Sequence, residues 1–171
     1  MKPESLIQYI SKSKASSVLN KDTASYGRNN LFDGSAETCW NSEQGLPQYV
    51  MVEFAPAVKI SNIYIQFQGG FAGKDTQLVD MTRGNEICPL HALDNNQVQV
   101  FDIPESERDI ERTRIKIHFA SSTDFYGRVV IYTLDFIGYV TGSSPQALNA
   151  TAGSGSKDTD AQATSAHIVV T

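Results

Sequence analysis

Residues 113–119, Thr-Arg-Ile-Lys-Ile-His-Phe, alternate without a break: Ile115, Ile117 and Phe119 share one parity, Arg114, Lys116 and His118 the other. A helix would scatter those three apolar residues around its circumference, whereas an extended strand puts them on one face. Residues 48–54 repeat the pattern, with Val50, Val52 and Phe54 opposed to Tyr49, Met51 and Glu53. No stretch sustains a 3.6-residue period. Short strands punctuated by turns predict an all-β chain, an antiparallel β-sandwich or jelly roll.

Other segments fit that architecture with local departures. Residues 58–67 are strand-like, but Val58 and Ile60 have one parity and Ile63, Ile65 and Phe67 the other. A bulge near Ser61-Asn62 would return both groups to one face. Residues 15–19 and 98–103 read as further strands, residues 71–76 as a loop, and residues 77–93 as a strand with its approaches, broken at Gly84 and Pro89. Asp94-Asn95-Asn96 is a turn, and the charged stretch 104–112 holds one helical turn or a solvated loop around Glu105-Ser106-Glu107-Arg108. Residues 129–137 are apolar on both parities, which suits either a central strand covered on both faces or a face used by a partner. Residues 1–14 form an N-terminal lead-in, helical or irregular, and residues 15–140 the sandwich domain. Residues 141–171 are rich in Ala, Ser, Thr and Gly. Such a segment buries too little apolar surface to offset its ordering entropy, so it is expected to be a disordered tail. Its end, His167-Ile168-Val169-Val170, could add a strand to the edge of a partner's sheet.

The 171 residues are 40% hydrophobic, enough for one core, and contain no run of about 20 apolar residues able to span a bilayer. The start, MKPESLIQYISKSK, lacks the pattern of a secretory signal. Cys39 and Cys88 then read as reduced thiols inside the cell, where the sequon Asn149-Ala150-Thr151 would not meet the glycosylation machinery. Formal net charge is -5, with no block of like charge, which disfavours generic binding to nucleic acid or acidic lipid. Any effect on transcription would pass through another protein. The pair Cys39-Trp40 lacks the residues that precede a papain-type nucleophile. His91, His118 and His167 lie in a loop, on an outward strand position and in the tail, so no catalytic set assembles and no enzyme is expected.

The polar loop 29–42, Asn-Asn-Leu-Phe-Asp-Gly-Ser-Ala-Glu-Thr-Cys-Trp-Asn-Ser, carries the structural anchor. Asp33-Gly34 is a turn dipeptide, the Asp accepting from amides ahead and the Gly free to take positive φ. Trp40, the only tryptophan, is expected to plug the end of the core. Asn30 to Ser35 with Thr38, Trp40 and Ser42 resembles the early loop of the discoidin, or coagulation-factor type C, family of galactose-binding-like β-sandwiches. The similarity extends through Ser16 to Asn20, Gln66 to Phe71 and Thr123 to Tyr132. These blocks, with Glu37 to Ser42 and Gln44-Gly45, are nearest to a small intracellular member described as a repressor partner of an orphan nuclear receptor. Absence of terminal cysteines departs from the secreted members.

The resemblance implies a discoidin-like jelly roll and three functional readings. Calcium would be held by the Asp33 carboxylate, Thr38 and backbone carbonyls near Asn30 and Ser35. The family's final-strand glutamate falls at Thr133, with Asp135 two residues later. In the plainer alternative, Asp33 and Thr38 only bond loop amides, and no cofactor is bound. Partner binding would use loops 41–48, 68–75 and 123–128, with Gln44, Phe71, Lys74, Phe125, Tyr126 and Arg128 as contacts. Here too a plainer alternative stands: Asp124 and Arg128 pair across a turn with Phe125 under the sandwich. The resulting expectation is a non-enzymatic adaptor in the nucleus or cytoplasm, bound to a nuclear receptor or a larger assembly. The alternatives are a subunit of a ciliary or ubiquitin-ligase complex, and a calcium-dependent glycan or phospholipid binder.

Overall fold

Both alternating stretches are strands, and the first is longer than its alternation. The computed structural model describes residues 1–142. They form β1 (Glu4–Ser5), β2 (Ile10–Ala15), a short helix α1 (Thr23–Tyr26), β3 (Trp40–Asn41), β4 (Gln48–Phe67), β5 (Gly73–Asp80), β6 (Asn85–Leu90), β7 (Val98–Asp102), one helical turn α2 (Glu105–Arg108), β8 (Arg112–Ser122) and β9 (Val130–Val140). Every ladder is antiparallel. The expected tail at residues 141–171, with its sequon and terminal apolar run, lies outside the described residues apart from Thr141 and Gly142.

The 20-residue β4 serves both layers of a discoidin-like β-sandwich. Its first part pairs with β2 on one side and β8 on the other, and β5 and β6 extend that layer beyond β8. Its second part pairs with β9 and β7, and β1 and β3 lie along the far side of β9. Pro56, which has no amide to donate, stands where the ladder to β8 is interrupted, between Glu53 and Val58. Val50, Val52, Phe54, Val58, Ile60, Ile63, Ile65 and Phe67 are all buried, each removal from water contributing about 1.5–3 kcal/mol. Edge-to-face contacts of Phe54 with Phe136 and Phe67 with Phe119 join the layers.

The parity slip in residues 58–67 is the expected bulge, a register shift between Ile60 and Asn62 against β9. Gly138 sits opposite Ile60, and a Cβ there would lie 1.9 Å from the Lys59 carbonyl oxygen, so the bulged backbone closes only on glycine. A second shift, between Gln66 and Phe67, accounts for the lack of alternation at the start of β9, where Val130 and Ile131 are buried in succession. Neither two-sided coverage of a central strand nor a partner face is needed to explain it.

Several boundaries differ from expectation. Residues 1–14, expected as a helical or irregular lead-in, hold one helical turn at Ile7–Tyr9 between two strands: β1 pairs with β9, β2 begins at Ile10, Leu6 enters the core, and its amide donates to the Phe136 carbonyl at 2.8 Å. The strand placed at 15–19 instead ends at Ala15, because the hydroxyls of Ser16 and Ser17 turn to Gln48 Oε1, at 2.5 and 2.8 Å. β5 begins at Gly73 rather than after a loop reaching Thr76. Pro89 is accommodated within β6, an outer strand where a missing donor costs little.

Candidate functional site

The loop 29–42 is bonded within itself and seats its tryptophan in the core. Asp33 Oδ1 accepts from the Ser35 amide at 2.9 Å and Oδ2 from the Thr38 hydroxyl at 2.5 Å, bonds that hold this carboxyl below the usual range, Thr38 contributing most. Gly34 takes φ 72°. Trp40 is 0% exposed, packs against Phe119 at 6.4 Å between ring centroids, and donates from Nε1 to the Ser17 carbonyl at 2.9 Å. Asp33 and Thr38 bond within the loop, as the plainer alternative supposed, and Asp135 accepts from the Ser5 hydroxyl at 2.7 Å. The Asn30 side-chain amide donates to the carbonyls of Ser25 and Cys39 at 2.9 Å each, tying the start of the loop to its end.

A different surface gathers at the end of the sandwich where β4, β5 and β9 begin and β8 ends. The turn 123–128 is braced by Asp124, whose Oδ2 accepts from the Arg128 amide at 3.0 Å and from Arg128 Nε at 3.1 Å. Burial alone would push the Asp124 carboxyl up, but the Arg128 bonds and charge, with the Tyr126 amide, outweigh it and hold the group low. Arg128 lies over the Phe71 ring, 4.9 Å from its centroid. Gly127, at φ 83°, lets the turn press on the 44–47 loop: the Gly45 amide donates to the Tyr126 carbonyl at 2.8 Å, and a Cβ on Gly127 would meet Leu46 at 2.9 Å.

On this braced turn Phe125 is 92% exposed and Tyr126 57%, their rings edge to face with centroids 5.2 Å apart. The Asp124 and Arg128 pair forms as the plainer alternative supposed, but Phe125 does not go under the sandwich. Of the expected contacts, Phe71, Phe125, Tyr126 and Arg128 come together, and exposed Gln44 adjoins Gly45 at their rim. Lys74 does not join them: it lies in β5 opposite Ser121 and lines a shallow depression with His91. Leu46, 43% exposed beside Gly127, belongs to the cluster and was missed, although its place between Gly45 and Pro47 marks it as held at a loop tip. The buried pair of Arg112 and Asp80, with half-buried Glu107 on the same guanidinium, was also missed, Arg112 and Glu107 standing in a stretch that looked solvated.

No family model matches the chain. It is 44% identical to the nuclear receptor 2C2-associated protein of Danio rerio over 138 residues, 79% of this chain and 96% of that protein. It is 44% identical to the Homo sapiens protein of the same name over 130 residues, 74% of this chain and 90% of the other. The chain belongs to the nuclear receptor 2C2-associated protein family. Solved structures share this chain's discoidin-like sandwich fold. The family 32 carbohydrate-binding module of Clostridium perfringens NanJ, in complex with galactose, matches at TM-score 0.65 and 19% identity, covering 79% of this chain and 98% of the module. A type C domain from Bacteroides fragilis matches at TM-score 0.63 and 14% identity, over 76% of this chain and 92% of the domain. At such identities the likeness is one of fold, and the site must be argued from this chain's own residues.

Proposed function

We propose that this member of the nuclear receptor 2C2-associated protein family is a non-enzymatic interaction module, acting in the nucleus or cytoplasm, that docks on a nuclear receptor or the assembly around it through the Phe125 and Tyr126 turn. The observation that carries this reading is two large aromatic rings held out of the core on a turn that is itself hydrogen-bonded and backed by glycine. Exposed aromatics on a rigid support lose little freedom on binding and remove much apolar area from water, the property of interface hot spots. The relatives' name supplies the partner class. Burial pushes both thiols, Cys39 and Cys88, above their ordinary range, opposite to what an activated nucleophile requires.

The test is binding of purified full-length protein to purified nuclear receptor 2C2, followed by titration calorimetry. Phe125→Ala with Tyr126→Ala should weaken the complex by about tenfold or more while leaving the thermal midpoint in place. Wild-type affinity in that double variant sinks the proposal. So does a chain that ignores the receptor and binds galactose through the same two rings, which would return the family to the glycan readers.

A further inference from the structure

A second surface is built on the opposite part of the same layer, and the turn at 123–128 has no share in it. β2 pairs with β4 along one edge, and among the described residues no strand pairs with its other edge. Beside that open edge runs a groove of about 520 Å³. One wall is Ile10, Ser11, Lys12 and Ser13, successive residues of β2, and the other is Arg28, Asn29 and Phe32. Four residues in a row can line one groove only if the strand lies along it, presenting backbone as well as side chains. The length so lined is about 13 Å at the rise of a strand.

The walls are specific in kind. Ile7, Ile10 and Phe32 are half-buried apolar residues, and Lys12 and Arg28 are exposed. Lys14 continues the cationic row two residues along β2. Among the described residues none of these three cations has an ion-pair partner, and Glu53, which faces Lys12 across the ladder, is bonded to Arg114 at 2.9 Å. Arg28 Nε donates to the Ser13 hydroxyl at 3.2 Å, which holds the guanidinium at the groove, between its two walls. Lys12, Lys14 and Arg28 make a local concentration of positive charge on a chain of formal net charge -5. They come from sequence positions 12, 14 and 28, which is why no charge block is visible in the sequence.

We infer that this groove takes an extended, acidic segment of a partner polypeptide, added to β2 as a further strand. The open edge supplies backbone donors and acceptors, the apolar wall takes alternate side chains, and Lys12, Lys14 and Arg28 meet the carboxylates between them. A second copy of this chain is the wrong occupant, because an antiparallel pairing of two β2 strands brings the lysines of one against those of the other. Nucleic acid would meet the charge but leave the strand edge and the apolar wall unused.

The probe is a fluorescein-labelled peptide of alternating Glu and Val, ten residues long, added to the full chain and read by anisotropy. Binding is expected, weakened about tenfold or more in Lys12→Glu and in Arg28→Glu and by raised salt, and unchanged in Arg83→Glu on a distant turn. Thermal melts confirm that the variants are folded. Two further peptides carry N-methyl groups on the odd or the even residues. A strand docked by one edge tolerates one of these and loses binding with the other, whereas attraction by charge alone treats them alike. The inference is overturned if the acidic peptide does not bind, if an alternating Lys and Val peptide binds equally, or if both methylated peptides bind. It is equally overturned by an oligouridylate that binds in the peptide's place, or by self-association that disappears in Lys12→Glu.

Discussion

The loop 29–42 and the turn 123–128 use the same devices to opposite ends. Each has an aspartate accepting from amides ahead of it, a glycine at positive φ and an aromatic a few residues away. In the first the aromatic goes inward: Trp40 is sealed, its ring against Phe119 and its indole nitrogen bonded to Ser17. In the second the rings of Phe125 and Tyr126 are left in water. Polar bracing thus fixes a loop without deciding its purpose. The difference lies in where the ring goes, and beside the second turn it is Phe71 that is covered, by Arg128 at 4.9 Å from its centroid.

The largest effect should come from the inward ring. Trp40→Ala removes the biggest buried side chain and orphans the Ser17 carbonyl, a loss of about 3–5 kcal/mol. Chemical denaturation followed by circular dichroism should find the variant largely unfolded at room temperature. A midpoint close to wild type would mean that the two loops are both surface decorations and that the comparison has no basis.

Next is the backing of the outward turn. Gly127→Ala forces a side chain into φ 83° and against Leu46 and the Gly45 backbone, and should cost about 1–2 kcal/mol. Because the strain falls on the contact between the two loops, receptor affinity should fall with it, although residue 127 is itself buried. Unchanged affinity alongside reduced stability would separate the bracing from the binding.

These two regions also mark what could be read from the sequence. The sandwich was legible because alternation at 48–54 and 113–119 is a direct record of which face is buried, and even the slip at 58–67 named its own bulge. The N-terminal strands were not legible: β1 is two exposed residues long, and the one core residue beside it, Leu6, follows the strand, so there is no period to detect. Arg112 was misread for a different reason. Its neighbours are charged and exposed, and only the fold reveals that the guanidinium turns inward to the Asp80 carboxylate at 3.3 Å and to Glu107. At the loop end, residue type sufficed to nominate Phe125, Tyr126 and Arg128. Nothing in the sequence indicated that Lys74, in a neighbouring loop by expectation, would be carried away from them by β5.

A smaller effect concerns acid. The Asp124 carboxyl is held below its ordinary range in the folded chain, so the bracing it provides is fully present above the unfolded carboxylate value, about 4, and is lost as pH falls through the depressed folded value. Titration of the Asp124 side-chain carbon by NMR should show the low midpoint. Asp124→Asn should remove that part of the acid sensitivity and loosen the turn at neutral pH. An ordinary midpoint would mean that the Arg128 contacts do not persist in solution and that the turn is less rigid than the anchor loop.

The smallest effect on stability belongs to the residue expected to matter most for binding. Phe125 is 92% exposed, and the contact it makes through its ring is with Tyr126, itself mostly in water. Phe125→Ala therefore gives up little burial and should change unfolding free energy by no more than about 0.5 kcal/mol. A ring that adds little to the fold and is held out on a braced turn is what the proposed docking role requires. If differential scanning calorimetry instead gave a loss comparable to that for Gly127→Ala, Phe125 would be packing against the sandwich in solution. The outward turn would then be a second anchor rather than the counterpart of the first.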